Sequence, residues 1–139
     1  MALSRKAVFV RCCLNFYPEV SCLKRQELEQ FILTAYHAAP DYPWIKYPDY
    51  AVFRHESNKK WFALLASVPK NKIGLSGNES IDIVNVKCDP IMIGSLLTSD
   101  GFFPAYHMNK TNWITIALDD GVPDDTIKML LQISFELTS

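Results

Sequence analysis

Two short stretches of the sequence bring together the side chains best suited to chemistry. The first stretch contains Arg54, Lys59, Lys60 and Trp61. The second contains His107, Asn109, Lys110, Asn112 and Trp113. Cations neutralise phosphate oxygens, amide side chains donate hydrogen bonds to them, and an indole ring can stack on a nucleobase. Both stretches therefore predict contacts with nucleic acid.

Each stretch also has a purely structural interpretation. His107 and Asn109 could satisfy backbone groups of a tight connection, because asparagine tolerates turn conformations and bonds its own backbone. Trp113 could pack against a core from an alternating strand. Lysines around Lys59 could protect a hairpin edge from aggregation. The residue types alone leave both interpretations open.

The charge around the first stretch favours an anionic partner. Between residues 46 and 72, six basic residues stand against two acidic ones, a net charge of +4. A patch of that size engages only a few phosphates, so we expect weak and strongly salt-dependent binding. The aspartates at 119, 120, 124 and 125 would oppose binding unless they face away from the patch.

Residues that could support catalysis are scattered. The three histidines, at 37, 55 and 107, lack metal-binding spacing, and Ser76 lies outside a Gly-x-Ser-x-Gly turn. We interpret Cys88 as a packing residue and the aspartates at 119–125 as turn and capping groups. The sequence therefore predicts neither an enzyme nor a metal or cofactor site.

The composition indicates one globular domain. The chain has 139 residues, of which 49% are apolar and 21% charged, and 14 basic against 15 acidic residues give a net charge of −1. That balance excludes a strongly basic nucleic-acid coat. Cysteines at 12, 13, 22 and 88 lack zinc spacing and predict reduced thiols in a cytoplasmic protein. No apolar run approaches 18 residues, so we expect no membrane span.

The pattern of apolar residues predicts an α+β fold. Residues 1–22 form a leader that could be an extra strand, a flexible arm or the product of a mis-assigned start, and residues 23–139 form one domain. The predicted order is a helix, three strands, a helix, one or two strands and a final helix. Short strands joined by hairpins and flanked by helices favour helices packed on an antiparallel sheet.

Individual elements follow from local signals. A helical stripe of apolar residues begins after Lys24 and comprises Leu28, Phe31, Ile32, Ala35 and Tyr36. Strands are expected at 51–55, 61–67, 81–86 and 113–118. Asp89 and Pro90 are typical of an N-cap and first helical residue, and Pro123 opens the last helix.

The second stretch lies in an extended motif. Residues 104–113 read Pro-x-x-His-x-Asn-Lys-x-x-Trp, and residues 120–124 read Asp-Gly-x-Pro-Asp. Together with Tyr42-Pro43-Trp44, Trp61–Leu64 and Asn85–Pro90, they resemble the MmcQ/YjbR family over about residues 24–138. Asn112, where the family often has histidine, and the additional acid Asp120 depart from the pattern.

The resemblance implies a two-layer α+β domain of the CyaY-like or secretion-chaperone-like kind, for which a double-wing DNA-binding role has been suggested. We therefore expect a small non-enzymatic protein that binds double-stranded DNA weakly. The alternative is a protein-interaction adaptor, suggested by 17 aromatic residues and a near-neutral charge. A monomer is expected, with a homodimer as the alternative. The DNA hypothesis requires the two stretches to meet in the folded chain.

Overall fold

The computed structural model describes residues 24–118 and 121–139, so the predicted leader lies outside the described residues. These residues form three helices and five strands. The helices are α1 (Arg25–Tyr36), α2 (Pro90–Leu96) and α3 (Asp124–Thr138). The strands are β1 (Ala51–Arg54), β2 (Trp61–Pro69), β3 (Ser80–Lys87), β4 (Phe102–Pro104) and β5 (Trp113–Ala117).

The five strands form one sheet in the order β1-β2-β3-β5-β4, and all neighbours are antiparallel. This confirms the predicted α+β class and the order of elements. The second strand that the sequence left open is β4, which has three residues and ends at Pro104. A strand this short carries too little alternation to be recognised, and proline restricts it to a sheet edge.

The helices cover one face of the sheet. Leu28 and Ile32 of α1 and Leu131 of α3 pack with Phe53 and Phe62 in the main core. This arrangement matches the predicted α1 stripe with one correction, since Ala35 is exposed. The predicted capping by Asp89 is confirmed, because its Oδ1 accepts a hydrogen bond from the Ile91 N–H at 2.8 Å.

Connections cover the opposite face of the sheet. A second core forms there around Val52, Leu64 and Ile83, and it is covered by aromatic side chains that include Tyr50 and Tyr106. Ala117 of β5 belongs to this core, and the alternation of side chains along a strand places Trp113 and Thr115 on the same face.

A β-bulge at the start of β2 decides which side chains reach each face. Phe53 lies opposite Ala63 and Arg54 lies opposite Trp61, so Phe62 is an additional residue in β2. Phe62 and Ala63 therefore both belong to the helix-covered core. Trp61 packs against the loop-covered core on the other face. Bulges of this kind redirect side chains at sheet ends.

The buried Ser134 of α3 joins β2 and β3 just beyond the last pair of their ladder, Ala63 with Val86. The Lys87 N–H donates to Ser134 Oγ at 2.8 Å, and the Ser134 hydroxyl donates to the Phe62 carbonyl at 2.6 Å. One hydroxyl thus joins two backbone groups that face each other across β2 and β3. It also ties the end of β3 to α3.

We expect Ser134→Ala to lower the free energy of unfolding by about 1–3 kcal/mol, because it leaves a buried donor and a buried acceptor without their partner. Urea unfolding monitored by circular dichroism measures the change. Ser95→Ala, the same substitution at an exposed residue of α2, is the control. Equal stabilities of the two variants would contradict a bridging role for Ser134.

Candidate nucleic-acid interface

The two predicted stretches lie at the same end of the sheet. Arg54 pairs with Trp61, Lys87 pairs with Trp113, and Pro104 pairs with Ile114. The β1–β2 connection and the β4–β5 connection therefore leave the sheet in the same direction, on either side of the last residue of β3. We call this region the lysine end, comprising residues 55–60, Lys87 and residues 105–113.

The β1–β2 connection is anchored to the C-terminus of α3. The His55 ring is buried, lies 4.1 Å from the Phe135 ring centroid, and places Nε2 2.7 Å from Thr138 Oγ1. Asn58 Nδ2 donates to the Thr138 carbonyl at 3.0 Å. Lys59, with a left-handed φ of 64°, and Lys60 are exposed. The connection thus presents two lysines from a fixed backbone.

Arg54 and Trp61 belong to an intramolecular cluster. Arg54 lies over the Trp61 ring at 5.6 Å and forms an ion pair with Asp41 at 2.9 Å. The edge of Trp44 contacts Trp61 at a centroid distance of 5.6 Å. A contact from Arg54 to a phosphate would therefore require the guanidinium to leave an existing carboxylate and ring.

The β4–β5 connection uses several predicted binding residues to hold its own shape. Asn109 Oδ1 accepts from the Thr111 N–H at 2.9 Å, and Lys110 Nζ donates to the Ala105 carbonyl at 2.9 Å. His107 has a left-handed φ of 60°, and its ring centroid lies 4.0 Å from that of Tyr106. These bonds support the structural interpretation of Asn109 and His107. Lys110 lies at the exposed surface.

A buried polar pair fastens this connection across the sheet. The Thr115 hydroxyl donates to Asn85 Oδ1, and both side chains are fully buried. Asn85 Nδ2 donates to the Tyr106 carbonyl and Thr115 Oγ1 accepts from the Tyr106 N–H, each at 2.9 Å. The backbone of Tyr106 is thereby bonded like an added strand residue, which fixes the path of the connection.

Tyr50 packs beneath the same connection. It is 8% exposed, and burial raises its pKa to about 12, assisted by the Tyr106 hydroxyl and by Asp49. A tyrosine in this setting stays neutral at any physiological pH. Its role is therefore to pack and to hydrogen bond under the β4–β5 connection.

Lys87 and Trp113 lie side by side between the two connections. They are paired across β3 and β5, and each is half-buried. The neighbouring Asn112, also half-buried, accepts from the Cys88 N–H through its carbonyl at 2.8 Å. Sequence reasoning missed Lys87, although its spacing from Ile81, Ile83 and Asn85 placed it on the loop-covered face.

The lysines between residues 59 and 72, whose charges were summed from the sequence, lie at different ends of β2. Lys70 and Lys72 follow the last residue of β2, so nine strand residues separate them from the β1–β2 connection. Asp124 and Asp125 begin α3, whose other end contacts that connection. A helix of 15 residues is about 22 Å long. These two acids are therefore remote from the lysine end, whereas residues 119 and 120 lie outside the described residues.

The Cys88 side chain is buried at the end of β3. Burial raises the pKa of the Cys88 thiol, as expected of a packing cysteine. No helix within 24–118 or 121–139 is long and apolar enough to cross a bilayer. In the same ranges, no three histidine, cysteine or acidic side chains converge in a way that could hold a metal ion.

Comparisons with known proteins agree with this architecture. The family model described as YjbR matches residues 33–137. The chain is 43% identical over 116 residues to the Bacillus subtilis (strain 168) protein YyaQ, covering 84% of this chain and 98% of the relative. A Pseudomonas syringae protein of known crystal structure is 44% identical, with a TM-score of 0.83 over 84% of this chain and all of that chain. 

A more distant structural relative shares the fold. A Deinococcus radiodurans protein described as a DUF419 domain superposes with a TM-score of 0.58 at 24% identity, over 81% of this chain and 75% of that one. At that identity the likeness concerns the fold alone.

We expect the free energy of unfolding to fall between pH 10 and about pH 12. An unfolded tyrosine loses its proton near pH 10, whereas folded Tyr50 retains it up to about pH 12, so the stability that Tyr50 contributes at lower pH is lost in this window. Urea unfolding at pH 8 and pH 11 measures the decline. Tyr50→Phe should make the decline smaller, whereas Tyr42→Phe, at an exposed residue, should leave it unchanged. An unchanged decline in Tyr50→Phe would contradict this account.

Proposed function

This chain belongs to the YjbR family, and we propose that it is a non-enzymatic protein that binds DNA weakly through the lysine end of its sheet. The observation that supports the proposal is the strand register. It places lysines from two connections, and Lys87 between them, at one end of the molecule.

The charge of the lysine end suits a phosphate backbone. The four cations are Lys59, Lys60, Lys87 and Lys110. Within residues 55–60, 87 and 105–113 the acidic residue is Glu56. The net charge of this surface is therefore about +3 against −1 for the whole chain, and the acids that begin α3 lie at the far end of that helix.

The expected binding mode is contact with the DNA backbone. Lysine ammonium groups position a nucleic acid by its phosphates without reading its sequence. The amide of Asn109 is engaged within its own turn, and the guanidinium of Arg54 is engaged by Asp41. These two side chains, of types that commonly recognise base edges, are thus occupied, so we expect the proposed binding to have little sequence preference.

Removing the two hairpin lysines should weaken binding and its salt dependence together. For Lys59→Ala/Lys60→Ala we expect about tenfold lower affinity at low salt and a slope of log K against log salt reduced by about 1.4–1.8, as expected for two lost phosphate contacts. Fluorescence anisotropy with a labelled oligonucleotide measures both quantities.

Lys70→Ala/Lys72→Ala is the matched control, since it removes the same charge from the opposite end of β2. It should retain most of the affinity. Equal losses in the two double variants would indicate a nonspecific charge effect, and an absence of binding at low salt would rule out the function.

A second candidate function is a protein-interaction adaptor, favoured by apolar side chains exposed on α3. Met129 is 51% exposed and Leu137 is 48% exposed, and they lie on one side of the helix with half-buried Ile133 between them. A partner strand cannot pair with Val52 at the β1 edge of the sheet, because Asp41 already bonds both backbone groups of Val52. Light scattering tests the self-association form of this function: Met129→Lys should dissociate a dimer, and a wild-type monomer would contradict it.

A further inference from the structure

We propose that the lysine end holds an unpaired nucleic-acid strand, with one base stacked on Trp113 and the adjoining phosphates on Lys87 and Lys110. This inference rests on the proposed function and specifies the form of nucleic acid that is bound. It also assigns Trp113 a role that packing does not explain.

The position of Trp113 differs from that of the other two tryptophans. Trp44 and Trp61 contact each other and pack against the loop-covered core. Trp113 is half-buried, and within the described residues it belongs to neither hydrophobic core, with no aromatic ring stacked on its indole and no cation over it. An indole in this position retains apolar surface for a planar partner.

Lysines flank the indole on two sides. Lys87 is its direct partner across the ladder, a relation that places the two Cβ atoms about 5 Å apart. Lys87 forms no ion pair among the described residues, and Ser134 fixes its backbone. Lys110 lies three residues before Trp113, anchored through Ala105. A half-buried indole with one lysine beside it on β3 and another three residues before it combines the stacking surface and the cations that single-strand binding sites use.

The width of the lysine end favours a single strand over a duplex. One connection joins β1 to β2 and the other joins β4 to β5. In the sheet, β3 lies between these two pairs of strands. The axes of β2 and β5 are therefore two strand spacings apart, about 10 Å. A duplex, whose major groove alone is about 12 Å wide, exceeds this gap.

The hairpin itself is unsuited to entering a groove. A two-stranded ribbon that reads a duplex must project from the protein. Here the connection is held on the C-terminus of α3 by His55 and Asn58. A short anchored hairpin can border a strand lying over β3 but cannot insert into a major groove.

Anisotropy and tryptophan fluorescence with a poly-dT 12-mer and with a 12-base-pair duplex test the inference. We expect the unpaired strand to bind at least about tenfold more tightly than the duplex and to quench tryptophan emission. Trp113→Ala should weaken strand binding by about fivefold or more, in the range that alanine substitution of stacking aromatics produces. Trp113→Phe should bind with intermediate affinity and lose most of the quenching.

Tyr42→Ala is the matched control, because it removes another half-exposed ring from a connection of the same domain. It should bind as the wild type does. Thermal melting establishes that each variant is folded. If Trp113→Ala does not fold, the affinity and the quenching of Trp113→Phe test the inference.

The outcomes separate the two proposals. Duplex binding as tight as strand binding, with Trp113 variants unchanged and Lys59→Ala/Lys60→Ala weakened, overturns the inference and leaves the proposed function standing. No binding of either oligonucleotide overturns both.

Discussion

The hydroxyl of Ser134 is the contact on which the arrangement of the lysine end depends. The bulge at Phe62, in the pairing of β1 with β2, sends two consecutive side chains into the helix-covered core. The ladder between β2 and β3 ends at the pair of Ala63 with Val86. Ser134 joins the Phe62 carbonyl to the Lys87 N–H and so restores continuity through α3. Without this bridge, a buried donor and a buried acceptor beside the Lys87–Trp113 pair would have no partner.

Some side chains of the β4–β5 connection hold its own fold, whereas others face solvent. Its asparagine, histidine and backbone groups close the connection, while Asn85 and Thr115 bind it to the sheet. Such bonds leave a rigid backbone, which lowers the entropy lost when a ligand is held. The resemblance in sequence is thus explained largely by the structure of the turn, and what remains for binding is Lys110 and the ring of Trp113.

Periodicity was sufficient to predict most of the fold. The stripe in α1, the cap at Asp89 and the alternation in β5 each involve contacts close in sequence, so the residues themselves carry the signal. The bulge at Phe62 and the short β4 could not be predicted, because they depend on register between distant segments. For the same reason the sequence grouped Lys70 with Lys59, although β2 separates them, and it overlooked Lys87. The ion pair of Arg54 with Asp41 could not be predicted either, because the two residues are distant in the sequence.

Chemical-shift mapping of the ¹⁵N-labelled chain titrated with poly-dT at low salt is the most direct test of the central claim. We predict that the largest backbone shifts lie at residues 56–61, at Lys87 and at residues 107–113, together with the indole N–H of Trp113. Shifts concentrated on the exposed side of α3, or spread evenly over the surface, would contradict a binding surface at this end of the sheet.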